Sequence, residues 1–346
     1  MEFETRESVQ DYYGKVLKTN QDLKTNACCT TDSLPNHVKP IIKEIHTEVL
    51  EKFYGCGSPI PLELTGKTVL DLGSGSGRDS YIMSKLVGPE GHVIGVDMTD
   101  EQIGVALRHQ DYQREKFGFK KSNVTFLKGF IEDLETIGVK SNSVDVVTSN
   151  CVINLSPNKK RVFAEIFRIL KPGGELYFSD IFSDRRIPES LKNDSVMVGE
   201  CLGGAMYTED FRRLMLSLGC ADYRVVKKSV VTLNSPELEQ QAGRINFYSL
   251  TIRAFKLDLE DRCEDFGQVA YYKGTIPETP NVFVLDDHHT FEKGRPLTVC
   301  SNTAAMLADT RYSKHFDIVG NTKNHFGLFN CAPETKPNTQ EVGACC

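Results

Sequence analysis

Val69-Leu70-Asp71-Leu72-Gly73-Ser74-Gly75-Ser76-Gly77-Arg78-Asp79 is the stretch whose reading decides the fold. The apolar run from Thr68 to Leu72 reads as a buried strand. It breaks at three alternating glycines, and a helical pattern follows through Ser80, Tyr81, Ile82, Met83 and Leu86. Strand, glycine turn and helix make the opening unit of a doubly wound α/β fold. The glycines adopt positive φ freely and let a ligand approach the backbone, while amides at the helix N-terminus point towards it.

Spacing narrows the ligand. A dinucleotide loop reads G-x-G-x-x-G, whereas Gly73-x-Gly75-x-Gly77 directly follows Asp71 and is not shaped to cradle a pyrophosphate. A carboxylate ahead of the loop suits an amino group, as at the methionine end of S-adenosylmethionine. Asp97 closes the next strand pattern, Val93-Ile94-Gly95-Val96-Asp97-Met98. An acid there accepts hydrogen bonds from both ribose hydroxyls. Loop and acid together favour S-adenosylmethionine over NAD, with a purely structural glycine turn as the plain alternative.

Working outward, strand patterns at Thr68–Leu72, His92–Met98, Asn123–Lys128, Val144–Ser149 and Glu175–Ser179 alternate with helical ones, including Asp100–Phe117 and Lys159–Leu170. Lys171-Pro172-Gly173-Gly174 stops the last helix. A helix over Glu209–Leu218 and strands over Tyr223–Val230 and Tyr248–Phe255 follow. The expected class is α/β: a class I, Rossmann-like methyltransferase fold with a mostly parallel seven-stranded sheet. Residues 1–60 read as a helical lid, with Val38 to Phe53 helical and Tyr54-Gly55-Cys56-Gly57-Ser58-Pro59 a loop. Residues 61–257 form the cofactor-binding domain with an insertion at about 181–208. Residues 258–332 make a small C-terminal α+β domain, with strands at Gln268–Tyr272 and Val282–Leu285, and 333–346 a disordered tail.

The 346 residues are 40% hydrophobic and 25% charged with a net charge of −6, which argues against nucleic acid or an anionic membrane as partner. The first twenty residues are polar, no run approaches the roughly 20 apolar residues of a membrane helix, and the expected location is the cytosol. There are eleven cysteines: Cys28, Cys29, Cys56, Cys151, Cys201, Cys220, Cys263, Cys300, Cys331, Cys345 and Cys346. Their scatter and odd number do not make a disulfide framework, and without C-x-x-C no zinc site and no dedicated metal cofactor is expected. Cys151 stands at the end of the fourth strand, where side chains face a transferring methyl; the bland reading is a small buried hydrophobe. Cys201 lies in the glycine-rich insertion, Cys56 in the glycine-flanked lid, and Cys28 beside Cys29.

Five motifs resemble the arsenite methyltransferase family: Thr25-Asn26-Ala27-Cys28, Tyr54-Gly55-Cys56-Gly57, Asp71 to Asp79, Ser149-Asn150-Cys151-Val152-Ile153-Asn154-Leu155 and Gly199-Glu200-Cys201-Leu202-Gly203-Gly204. The likeness covers about residues 8 to 255 and weakens beyond 258, where the family's cysteine-rich tail survives only as Cys345-Cys346. It implies that Cys151 and Cys201, with Cys56 as a third sulfur, hold trivalent arsenic from arsenite or a monomethylated arsenical, and that Cys56 and Cys28 form a thiol relay. Soft trivalent arsenic prefers thiolate sulfur. A disulfide formed in the relay would be reopened by thioredoxin or glutathione. The family also implies Tyr54 and Asn150 near the methionine part, Met98 against adenine, and Ile131-Glu132 after the third strand. The implied cofactor residues are thus Tyr54, Asp71, Gly73, Ser74, Gly75, Gly77, Asp97, Met98, Ile131, Glu132 and Asn150. Phe130 replaces an acid of quinone-directed relatives, so the adenine amine would be met by backbone or Glu132. A monomer is expected.

Two readings compete. One is a carbon or oxygen methyltransferase of a quinone- or sterol-like substrate with merely buried cysteines; the other is a non-catalytic arsenic binder. Elsewhere, His288-His289 reads as an exposed polar turn, Lys120-Lys121 as a surface pair and Cys220 as a packed residue. Cys263, Cys300 and Cys331 show no partner at a recognisable spacing.

Overall fold

The helical pattern from Val38 to Phe53 divides into two short helices, α1 (Lys39–Ile42) and α2 (Thr47–Glu51). His46 divides them. Its backbone is extended, and its Nδ1 accepts a hydrogen bond from the Glu48 amide at 3.2 Å, which makes it an N-cap. The computed structural model describes residues 34–55, 58–192, 194, 197–198, 201–233 and 236–331.

Strand β1 (Thr68–Leu72) opens the alternation and is followed by α3 (Arg78–Val87) and β2 (His92–Asp97). The expected helix over Asp100–Phe117 is two, α4 (Asp100–Arg108) and α5 (Gln110–Lys116), because His109 leaves helical geometry at φ −102°, ψ 7°. Then come β3 (Val124–Lys128), β4 (Val144–Asn150) and α6 (Lys159–Ile169). Strand β5 (Leu170–Ser183) begins five residues earlier than its pattern suggested, absorbing Lys171-Pro172-Gly173-Gly174 at a register shift against β4. The remainder of this sheet comes from β6 (Met206–Tyr207), β7 (Tyr223–Val230) and β8 (Phe247–Phe255), with helices α7 (Glu189–Lys192), α8 (Thr208–Ser217) and α9 (Pro236–Ala242) between.

The strand order is β3-β2-β1-β4-β5-β8-β7, with the short β6 added beside β5. Strands β1 to β5 run parallel, and β8 is antiparallel to both β5 and β7. The order reverses between β1 and β4, the position where open α/β sheets bind ligands beyond their carboxyl ends. Alternation along β1 feeds two cores. Val69 packs with Val93, Ile82 and the N-terminal Val38 and Val49, while Leu70 and Leu72 pack with Val147, Phe163 and Phe178.

Beyond the sheet lie β9 (Glu264–Asp265), β10 (Gln268–Tyr272), β11 (Val282–Val284), β12 (Thr290–Glu292), β13 (Pro296–Val299), α10 (Ser301–Ala308), β14 (Phe316–Val319) and β15 (Gly327–Leu328). Buried ions join this unit to the sheet: Glu175 of β5, paired within the sheet with Arg253 of β8, also pairs with Arg311 of this unit. Two sequence expectations change here. His289 is buried, not exposed, with Nδ1 against both Asp286 oxygens at 2.8 and 2.9 Å. Cys263, Cys300 and Cys331, which lacked partners by spacing, come together in space. Among the described residues, no helix is long and apolar enough to cross a membrane. The expected tail lies outside them.

Candidate active site

A cleft of about 980 Å³ opens at the carboxyl ends of β1, β2 and β4. The three glycines of the opening loop all have positive φ, at 66°, 53° and 90°. A Cβ on Gly73 would stand 2.3 Å from the Val152 side chain, so the loop after β4 closes directly on the glycine turn. Asp97 ends β2 and anchors the loop: its Oδ2 accepts from the Gly75 amide at 2.9 Å and its Oδ1 from the Thr99 amide at 2.8 Å. Burial raises its pKa. Asp71 accepts from the Ser80 hydroxyl at 2.6 Å, and burial together with the neighbouring Asp79 pushes its carboxyl up to about 7.

Every cofactor residue expected from the sequence lines this cleft except Gly77, which stands behind it as the N-cap of α3. Tyr54 and Gly55 bring the N-terminal segment to its wall. A Cβ on Gly55 would stand 2.6 Å from the Asn150 amide group, so a larger residue here would have to push that side chain aside. Asn150 in turn donates to Asp79 at 2.9 Å. Glu132 accepts from the Ser156 hydroxyl at 2.6 Å, which directs one of its oxygens to the loop after β4. The buried Ser74 hydroxyl has no hydrogen-bond partner among the described residues. Buried acids lining the cleft suit a ligand rich in hydrogen-bond donors.

Cys151 and Cys201 are both only 3% exposed, and both have left-handed backbone, at φ 56° and 62°. That region disfavours residues carrying a Cβ and is maintained where surrounding structure imposes it. The Cys201 thiol donates to the Cys151 carbonyl oxygen at 3.3 Å. The two cysteine segments, 50 residues apart in the chain, therefore meet. Cys151 lines the cofactor cleft and takes part in a disulfide whose partner lies outside the described residues. Cys28, Cys29 and Cys56 also lie outside them.

Comparison with known proteins decides what this arrangement belongs to. Residues 64–219 match the family described as a methyltransferase domain, and residues 266–346 match the arsenite methyltransferase C-terminal domain. The arsenite methyltransferase of Aquipseudomonas alcaligenes is 52% identical over 324 residues, covering 93% of this chain and 93% of that protein. The chain belongs to the arsenite methyltransferase family. The human arsenite methyltransferase is 43% identical over 91% of this chain and 84% of its own length. The crystal structure of an arsenic(III) S-adenosylmethionine methyltransferase from Chlamydomonas reinhardtii superposes with a TM-score of 0.83 at 48% identity, covering 86% of this chain and all of that one. The family likeness thus extends through the C-terminal unit, further than the sequence motifs reached.

Within this family fold, the residues that fasten the two cysteine loops escaped the sequence reading. Asn154 donates through Nδ2 to the Ile181 carbonyl at 2.6 Å, and its amide donates to Asp180 at 3.1 Å. Burial pushes the Asp180 carboxyl up to about 7. Lys159 is held below its ordinary pKa by burial, against the pull of Asp180 and Cys201. Gly204 lets the insertion in: a Cβ there would stand 2.0 Å from the Asn154 carbonyl oxygen. The signal available in sequence was an acid, Asp180, just beyond the apolar core of the fifth strand, the position where doubly wound sheets place functional side chains.

Proposed function

We propose that this chain transfers a methyl group from S-adenosylmethionine to trivalent arsenic bound by the Cys151 and Cys201 sulfurs, giving mono- and dimethylated arsenicals. The observation carrying this reading is the meeting of the Cys201 thiol with the Cys151 backbone at the wall of the cleft. S-adenosylmethionine supplies an electrophilic methyl on a sulfonium. In this reading Asp71 takes the ammonium group and Asp97 the ribose hydroxyls. Met98 and Ile131, which line the same cleft, would flank the adenine.

Arsenic bound through sulfur keeps a lone pair, and the protein need only align that pair and exclude water. Burial of both cysteines serves the second requirement. The N-terminal segment would act as a lid, since Lys52 to Gly55 already line the cleft. Each methylation formally takes arsenic from the trivalent to the pentavalent state. Two thiols closing to a disulfide return two electrons, and thioredoxin or glutathione reopens the bond by exchange. The disulfide at Cys151 supports such a relay, because it puts one of the arsenic-binding sulfurs in the oxidised form. Cys56 and Cys28 are the proposed relay thiols.

The test is incubation with arsenite, labelled S-adenosylmethionine and a thiol reductant, followed by arsenic speciation. Methylated arsenicals are expected from the native chain and none from Cys201→Ser. Cofactor binding should survive that change, because Cys201 does not line the cofactor cleft. Full turnover by Cys201→Ser would refute the ligand assignment.

A further inference from the structure

Cys263, Cys300 and Cys331 come from three separate parts of the C-terminal unit. Cys263 precedes β9, Cys300 is the N-cap of α10, and Cys331 follows β15. Their three sulfurs all lie within 4.8 Å of one another. The pairing of β9 with β15 holds two of these segments together, and the Phe329 amide donates to the Cys263 carbonyl at 2.7 Å. None of the three lines the cofactor cleft. Cys300 is buried, while Cys263 and Cys331 are half-buried, so the group has a buried floor and a side open to solvent.

The surroundings favour thiolate at Cys300, while the hydrogen bond to Cys300 and burial push the Cys263 thiol up and burial pushes the Cys331 thiol up. Cys300 Sγ accepts from the Thr303 amide at 3.4 Å, and the Arg224 guanidinium approaches it at 4.0 Å. The hydrogen bond from Cys263, helped by the Thr303 hydroxyl and amide, holds the Cys300 thiol down to about 4. Three sulfurs beside one cation, with no histidine or carboxylate joining the group among the described residues, make an all-sulfur donor set.

We propose that these three cysteines form a second binding site for trivalent arsenic, which holds arsenite as a tris-thiolate and does not methylate it. The exchange balances without any redox change: two S–H and three As–OH bonds break, the Cys300 thiolate adds with one proton taken from solvent, and three As–S bonds and three waters form. Three-coordinate arsenic needs no fourth ligand. Structural zinc takes four, and the described residues provide only three here. The site requires thiol chemistry alone, so it stands or falls separately from methyl transfer.

The experiment uses the reduced full-length chain with arsenite and no cofactor. Excess arsenite is removed, unprotected thiols are alkylated, and the modified cysteines are read by peptide mass spectrometry alongside arsenic and zinc content. Cys263, Cys300 and Cys331 should become protected together. Cys300→Ser should lower bound arsenic by about one atom per chain and release Cys263 and Cys331 to alkylation, while Cys201 stays protected. Serine is itself a favoured N-cap, so this change retains the start of α10. Cys331→Ser, at a half-buried position, supplies a second variant with the same expected loss. Equal alkylation of the three with and without arsenite would overturn the proposal. So would zinc in the purified protein that arsenite fails to displace and that is lost in Cys300→Ser.

Discussion

Asp71 is buried between the Ser80 and Thr148 hydroxyls, with Asp79 and Asp97 as acidic neighbours. Its carboxyl, pushed up to about 7, resists ionisation in the folded protein. The ordinary carboxylate value is near 4. The folded pKa is the raised one, so the empty protein loses stability as pH climbs from about 4 to about 7. A cofactor ammonium beside the ionised acid reverses this preference. Cofactor affinity should therefore weaken as pH falls below 7, by up to about tenfold per pH unit. Asp71→Asn should bind weakly and lose that slope, as read by calorimetry across pH. If the slope persisted in the variant, the titrating group would be another acid, with Asp97, which lines the same cleft and is raised by burial, the first candidate. Asp71 and Asp97 were legible in sequence because they flank one strand-turn-helix unit at local spacing. Asp180 and Asn154 were not, since their importance comes from two loops that meet only after folding.

At the scale of elements, the insertion carrying Cys201 is seated by a glycine. Gly204 faces the Asn154 carbonyl oxygen so closely that alanine must displace backbone, not a flexible side chain. Gly204→Ala should separate the two cysteine loops and cost about 1–3 kcal/mol in stability, as overpacking does. Arsenic methylation should fall by at least about tenfold. Cofactor affinity should stay within about twofold of native, since Gly204 is not part of that cleft. Speciation assays paired with cofactor titration check this; parallel loss of both would mean that the insertion also supports the cofactor. Patterns governed by burial on a regular element were readable end to end, as for β1 and β10. Boundaries set by a single side chain were not. The cap at His46 splits one helix into two, and the early start of β5 depends on its bulged pairing with β4.

For the whole molecule, the cofactor-binding sheet and the C-terminal unit share buried charge. Glu175 is fully buried between the Arg253 and Arg311 guanidinium groups, and Arg253 also donates to the Val284 carbonyl at 3.3 Å. Arg224 of β7 reaches across to Asp286 at 3.0 Å and to Thr303 at 3.2 Å. These contacts were invisible in sequence because their members lie on separate strands and loops, and no local spacing ties them together. A buried cation whose partner is removed keeps its desolvation cost and loses the attraction that offset it. Glu175→Ala leaves two such cations and should cost about 3–5 kcal/mol. The damage should fall on the junction first, because Arg311 reaches the sheet through this carboxylate and Arg253, which it holds in place, donates to the Val284 and Leu285 carbonyls of the C-terminal unit. Calorimetry is expected to show one transition for the native chain and two for the variant, with the C-terminal unit melting earlier. Native-like melting of the variant as one transition would show that the apolar contacts around Phe255, Phe283 and Tyr312, and not the ion network, hold the units together.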